Sequence, residues 1–374
     1  MKSHHITGFL LMIIVALICV ATARSFMSMH RIEPVYPSRF LTIQKKLSDY
    51  CPVLKDSPGD TDVFIFESQN PGGILLILGG THPNEPAGYI TAVLVVENLG
   101  ITRGKAIIIP RSNNSGFTHS DPQEGNPQRF SFDIPGGKRW FRYGSRLTNP
   151  IHQWPDPVLY VNPAGQKLSG TESRNLNRCY PGRKKGFLTE KIAYGIMALI
   201  REEKVDLAID LHEAAPEYPV INAIVFHENS AELSALALLK LQMEGFEIRL
   251  EASPPNLRGL SHREWGDYAH IRAILLETAN ASHGRLKGRS TPSLILDGKD
   301  KNYVKAAQLG RLFVPFDEKG IPLRHRVARH LAALRALVAS LEELHPELCI
   351  ELEHIPSSAE LQKAGIGAFL KGQK

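Results

Sequence analysis

The chain has 374 residues, 43% of them hydrophobic and 22% charged, with a formal net charge of +6. That composition excludes disordered, collagenous and disulfide-scaffold classes, and a core of this size needs no cross-links. The basic excess is scattered except around Arg174–Lys185 and Arg258–Arg289, and no nucleic-acid-binding motif is present, so an anionic small substrate is the expectation and a nucleic acid is not.

The first segment reads as an export signal. Lys2 precedes a continuous apolar run from Ile6 to Ala23, and Ala21-Thr22-Ala23 offers the small residues a signal peptidase accepts. The run also approaches the ~20 residues that span a bilayer, so an uncleaved anchor is the alternative. Either way the body is expected outside the cytoplasm, periplasmic or extracellular, touching membrane only through residues 1–23. Cleavage would leave Cys51, Cys179 and Cys349, whose spacings match neither a zinc knuckle nor a redox pair.

Residues 24–60, with Pro34, Pro37, Pro52 and Pro58, are expected to be an irregular extension. From 61 to 345 apolar runs alternate with amphipathic stretches. Strands are predicted at Val63–Phe66, Gly73–Leu78, Ala106–Ile109, Val205–Leu211, Ile221–Phe226 and Ile271–Leu276. Helices are predicted at Pro86–Leu99, closed by Gly100, and at Thr189–Glu202, Ala231–Glu244 and Arg324–Glu343. The alternation implies an α/β fold with a mostly parallel mixed sheet and helices on both faces. The loop-rich stretch from Arg111 to Ser173 has the character of an active-site cover. Residues 346–374 read as a loosely attached tail.

In open α/β sheets ligands bind beyond the carboxyl ends of the strands. Three segments deliver reactive side chains there: Gly79-Gly80-Thr81-His82-Pro83-Asn84-Glu85, Asp210-Leu211-His212-Glu213, and Leu275-Leu276-Glu277-Thr278. Two imidazoles and one carboxylate, with a fourth position left for water, are a set that zinc favours. One zinc per chain, held by His82, Glu85 and His212, is therefore expected. The metal would lower the pKa of bound water, and Glu277 would relay its proton to a leaving nitrogen. Asp210 shares strand parity with His212, so it is a candidate to orient the imidazole, a capping or solvated role being the alternative. His227, His262, His270 and His283 read as pocket or surface residues.

The pieces GGTHPNEPAG, SRNLNRCYPG, DLHEA and LLETA, in this order, resemble the zinc carboxypeptidase superfamily, and within it the succinylglutamate desuccinylase/aspartoacylase branch. The resemblance runs from about Gly72 to Gly284. It implies the same ligands, His82, Glu85 and His212, with Glu277 catalytic and Asn177-Arg178 binding the substrate carboxylate. A guanidinium grips a carboxylate through two parallel hydrogen bonds, which suits Arg178. Arg174 is a second candidate, for the substrate anion or the developing oxyanion. Asn175 stands where many relatives carry Asp. The family's further upstream arginine falls on either Arg142 or Arg146.

The expected activity is deacylation of an N-acyl amino acid or a closely related substrate. The alternatives are a metallocarboxypeptidase acting on periplasmic or murein-type peptides, and a non-catalytic binding protein on the same fold. No Gly-x-Ser-x-Gly elbow and no His-Glu-x-x-His pair occurs.

Overall fold

Apolar runs too short for helices become strands of one eight-stranded sheet in the computed structural model, which describes residues 2–121 and 124–372. Met1, Gln373 and Lys374, at the ends of the expected leader and tail, lie outside the described residues. The strands are β1 (Ile43–Lys46), β2 (Asp62–Glu67), β3 (Ile74–Leu78), β4 (Lys105–Ile109), β5 (Leu207–Ala214), β6 (Ala223–Phe226), β7 (Arg249–Ala252) and β8 (Arg272–Ala279). Across the sheet they run β1-β2-β4-β3-β5-β8-β6-β7. The middle block β4-β3-β5-β8 is parallel, as is β6-β7, while β1-β2, β2-β4 and β8-β6 are antiparallel. The expected mixed α/β sheet is observed.

The helices are α1 (Lys2–Ser28), α2 (Pro86–Asn98), α3 (Leu188–Glu202), α4 (Ala231–Met243), α5 (Ser261–Ala269), α6 (Pro292–Asp297), α7 (Lys301–Gln308), α8 (Leu323–Leu344) and α9 (Ser358–Ala364). All of β5 is buried, so apolar residues stand on both of its faces and no strict alternation appears, while Asp210, His212 and Glu213 are buried at its carboxyl end. Its odd residues Leu207, Ile209 and Leu211 join a core with α2 and α8, and Ala208 joins the opposite core with α3 and Trp265 of α5. Gly88 lets α2 lie directly on β5, because a Cβ there would stand 2.3 Å from the Leu211 carbonyl oxygen.

Several expectations change. The extension at 24–60 supplies edge strand β1, and Leu47, Tyr50 and Leu54 enter the core beside α3. Ile43–Lys46 (IQKK) is largely exposed, so it carries no apolar pattern to read. The tail is not loose either. Glu351–Glu353 pairs antiparallel with Gly100–Arg103, and Leu361, Ile366 and Leu370 are buried in the main core. Gly100 thus opens a short strand instead of closing α2. Within the loop-rich stretch, Arg129–Ile134 and Gly137–Arg142 form a hairpin. Among the described residues Cys19, Cys51, Cys179 and Cys349 are free thiols. Finally, β5 and β8 run past their expected ends, so that His212 and Glu277 lie within strands rather than after them.

Candidate active site

The site is assembled where β3, β5 and β8 end. After β3 the chain turns through Gly80, at φ +67°, before α2 starts at Pro86. That turn brings His82 and Glu85 over the sheet edge, both almost fully buried. Nδ1 of His82 lies 2.8 Å from Glu85 Oε1, Nδ1 of His212 lies 2.9 Å from Glu85 Oε2, and the two Nδ1 atoms are 3.1 Å apart. One ligand-type atom from each of the three falls within 4.8 Å of the others.

The outward ring nitrogens explain this convergence. His82 Nε2 donates to Asn175 Oδ1 at 2.9 Å, and His212 Nε2 faces Asp210 Oδ2 at 2.9 Å. Thr81 Oγ1 donates to the other Asp210 oxygen at 2.8 Å. Protonation at Nε2 leaves each Nδ1 lone pair turned into the cluster, the tautomer a metal ligand needs. Asn175 thus holds His82 through a hydrogen bond, while Asp210 faces His212 as a close charged neighbour. Burial, helped by Arg146, pushes the His82 pKa down to about 3, so its ring is neutral. Against the opposing effect of burial, Asp210 and Glu85 raise His212 well above its ordinary value. Burial also works against the Glu85 carboxylate, but His82 and His212 hold it well below the usual range. This donor set of two neutral-capable imidazoles and one ionised carboxylate fits a divalent zinc.

Glu277 is the register partner of His212 on the parallel neighbour β8, so both side chains leave the same face of the sheet. Its Oε2 is buried without a hydrogen-bond partner. Burial, with Glu85 and Asp210 adding to it against His212 and Arg146, pushes its pKa up to about 8. A cation on the cluster would pull it back down by direct attraction.

A cleft of about 580 Å³ opens over these groups, and Arg146 and Arg178 line it. Arg178 donates from Nη1 to the Asn177 carbonyl at 2.7 Å. Arg146 Nη1 lies 3.1 Å from Glu85 Oε1 and 3.2 Å from His82 Nδ1. Of the two upstream arginines left open by sequence, Arg146 is in the cleft. Arg142 is fully buried elsewhere, paired with Glu33 at 2.5 Å. Two of the expected site residues lie apart from the cleft lining. Arg174 does not line the cleft: its guanidinium is held in a two-pronged contact with Asp156, at 2.7 and 2.9 Å, and donates to Thr148 O. Asn177 does not line it either, its amide oxygen accepting from Ser261 N at 2.8 Å.

One supporting pair gave no sequence signal. Glu213 N donates to Glu85 Oε2 at 3.0 Å, and the Glu213 side chain accepts from Ala87 N at 2.7 Å in the first turn of α2. Its other oxygen meets Arg326 Nη1 of α8 at 2.5 Å, with both side chains fully buried. Burial pushes the Glu213 pKa up to about 7 in spite of Arg326. Arg326 lies far along the chain on a helix, where no local pattern marks its role.

Sheet order places the candidate site at the carboxyl ends of the central parallel strands of a mixed α/β fold. Residues 156–287 match the model of the succinylglutamate desuccinylase/aspartoacylase catalytic domain, so the likeness read from the motifs is borne out over that segment. That segment holds Asn177, Arg178, His212 and Glu277, while His82 and Glu85 precede it. No curated protein matches the sequence significantly. Among solved structures, an aspartoacylase family protein from Mesorhizobium loti is 20% identical, over 59% of this chain and 56% of its own, at TM-score 0.36. A metallo-carboxypeptidase from Burkholderia cenocepacia is 11% identical over 79% and 68%, at TM-score 0.44. Tripeptide-bound cell shape determinant Csd4 from Helicobacter pylori is 13% identical over 81% and 59%, at TM-score 0.45. The chain spans little more than half the length of the first of these.

Proposed function

We propose that the protein is a zinc-dependent hydrolase of carbon–nitrogen bonds, acting on a small substrate with a free carboxylate, and that an N-acyl amino acid is that substrate. The observation that carries this reading is the convergence of two Nδ1 atoms and one carboxylate beside the unpartnered carboxyl of Glu277. His82, Glu85 and His212 would hold the zinc, oriented by Asn175, Asp210 and the Glu213 backbone. When bound, zinc supplies a Lewis acid for the scissile carbonyl and lowers the pKa of water.

The rest is work for the chain's own residues. Glu277 takes a proton from the attacking water and passes it to the leaving nitrogen. Arg178 grips the substrate carboxylate at the mouth of the cleft. Arg146, beside Glu85, faces the position where carbonyl negative charge develops.

The second reading, a carboxypeptidase acting on short periplasmic or murein-type peptides, draws support from α1. Its His4–Ser28 stretch contains an 18-residue window of mean hydropathy 2.7 and is long and apolar enough to cross a membrane. It supports export of the body, as a cleaved signal or an anchor, and N-terminal sequencing from the native host separates the two. The function test is zinc analysis with a turnover screen of N-acyl amino acids against peptides, using Glu277→Gln as control. Chelation should abolish turnover. Full turnover and full zinc in a His82→Ala protein would overturn the site, and zinc binding without turnover of any amide would select the non-catalytic alternative.

A further inference from the structure

One wall of the cleft has a chemistry unlike the rest. Ala223, Val225 and Leu275 form a small buried apolar cluster separate from the two main cores. In register, Ala223 pairs with Glu277 and Val225 with Leu275, so this row continues the sheet face that carries the Glu277 carboxyl. Leu257 and Leu260 line the same cleft, as does His262 at the start of α5, which packs on β8 and β6. The wall is also joined to the clamp. Asn177, next to Arg178, accepts from Ser261 N, and a Cβ at Gly259 would stand 2.4 Å from the Arg178 carbonyl oxygen. A ligand whose carboxylate sits on Arg178 therefore has this wall beside it.

Among the described residues no free cation belongs to the row. Arg146 is engaged at Glu85, and Arg285 is exposed at the rim. Arg263, one residue after His262, is turned away onto Glu228 and Asp267. His262 is 2% exposed and neither ring nitrogen has a partner. Burial pushes its pKa down to about 3, with His212, Arg263 and His227 acting in the same direction against Asp210. A neutral imidazole beside four aliphatic side chains does not replace the hydration a carboxylate loses on entry.

Resting on the reading of Arg178 as the carboxylate clamp, we infer that Val225, Leu275, Leu257, Leu260 and His262 form the compartment for the side chain of the carboxylate-bearing residue, and that it selects an uncharged apolar side chain over that of aspartate or glutamate. The inference holds for a deacylase and a carboxypeptidase alike, because in both the leaving amine carries that carboxylate.

The test is isothermal titration of zinc-loaded, full-length Glu277→Gln protein with N-acetyl-leucine, N-acetyl-phenylalanine, N-acetyl-aspartate and N-acetyl-glutamate. The apolar ligands should bind at least about tenfold tighter, the scale set by one or two methylenes in an apolar pocket. Leu275→Arg should reverse the order, and Leu257→Arg, on a loop, repeats the test if that change harms folding. Tighter binding of the acidic ligands, lost in a His262→Ala variant, would show the imidazole to be a carboxylate partner and overturn the inference. Absence of binding by all four ligands would overturn it too. Apolar preference in binding without amide cleavage by the parent would leave the compartment standing and remove the hydrolase reading. Cleavage with acidic preference would do the reverse.

Discussion

Each chemistry-bearing side chain here is held by a partner that decides what it can do. His82 and His212 are turned by Asn175 and Asp210, and Glu277 is left with an unpartnered oxygen facing the cleft. Loss of that carboxyl should slow the chemical step alone. Glu277→Gln should lower kcat by about 10²–10⁴-fold while zinc content, read by atomic absorption, stays at one equivalent. The arginines separate in the same way. Removing Arg178 takes away a charge-assisted contact worth about 1.5–3 kcal/mol in ground and transition state alike, so Arg178→Ala should raise KM about ten- to hundredfold with little change in kcat. Arg174→Ala should leave KM unchanged and lower Tm, because it strands Asp156 and opens the contact with Thr148 O. A KM effect for Arg174→Ala equal to that of Arg178→Ala would return Arg174 to the substrate.

At the scale of elements, precision comes from close backbone approach and from charged residues that tie helix ends to strands. Gly88 sets α2 against β5, and Glu213 then links the first turn of α2 to Arg326 of α8, fixing Glu85 on the way. Glu203, the C-cap of α3, plays a comparable part on the other face. It accepts from Lys105 at 2.7 Å, from Lys45 at 3.2 Å, and from the Tyr50 hydroxyl. Burial raises the Glu203 pKa, but these bonds outweigh it and hold the carboxyl below its usual range. A depressed folded-state pKa gives stability that is present above the unfolded value, near 4.3, and is lost as pH falls through the folded one. The Tm gap between the parent and Glu203→Gln should therefore be open at pH 7 and close as pH drops below about 4. A gap that widened on acidification would contradict the ion-pair account.

For the molecule as a whole, the boundary of the folded body lies just past α1. Met29 is fully buried, and Glu33 is buried against Arg142 and Arg111. Arg139 donates to the Pro34 carbonyl at 2.7 Å. Removing residues 1–23 should leave Tm unchanged, whereas removing 1–38 strands Arg142 without its carboxylate. Leaving a buried charge unpaired costs about 3–5 kcal/mol, so that truncation should melt many degrees lower or fail to fold. Equal melting of the two truncations would show that the segment after α1 is dispensable.

The sequence by itself determined the parts governed by local pattern. A buried parallel strand such as GILLIL is apolar throughout, the glycine and proline residues around His82 and Glu85 mark the break between strand and helix, and His212 and Glu277 each follow directly on a leucine that ends a largely apolar run. These signals suffice for the fold class and for the candidate ligands and base. Tertiary structure decided what depends on partners distant in the chain. Arg146 rather than Arg142 enters the cleft because Glu33 takes Arg142. Arg174 leaves the site because Asp156 takes it. β1 carries no apolar alternation and the segment at 351–353 is too short to show one, so both become strands through the backbone groups of the strands they meet. An arginine's charge is visible in any sequence, but the carboxylate that claims it is fixed only when the chain folds.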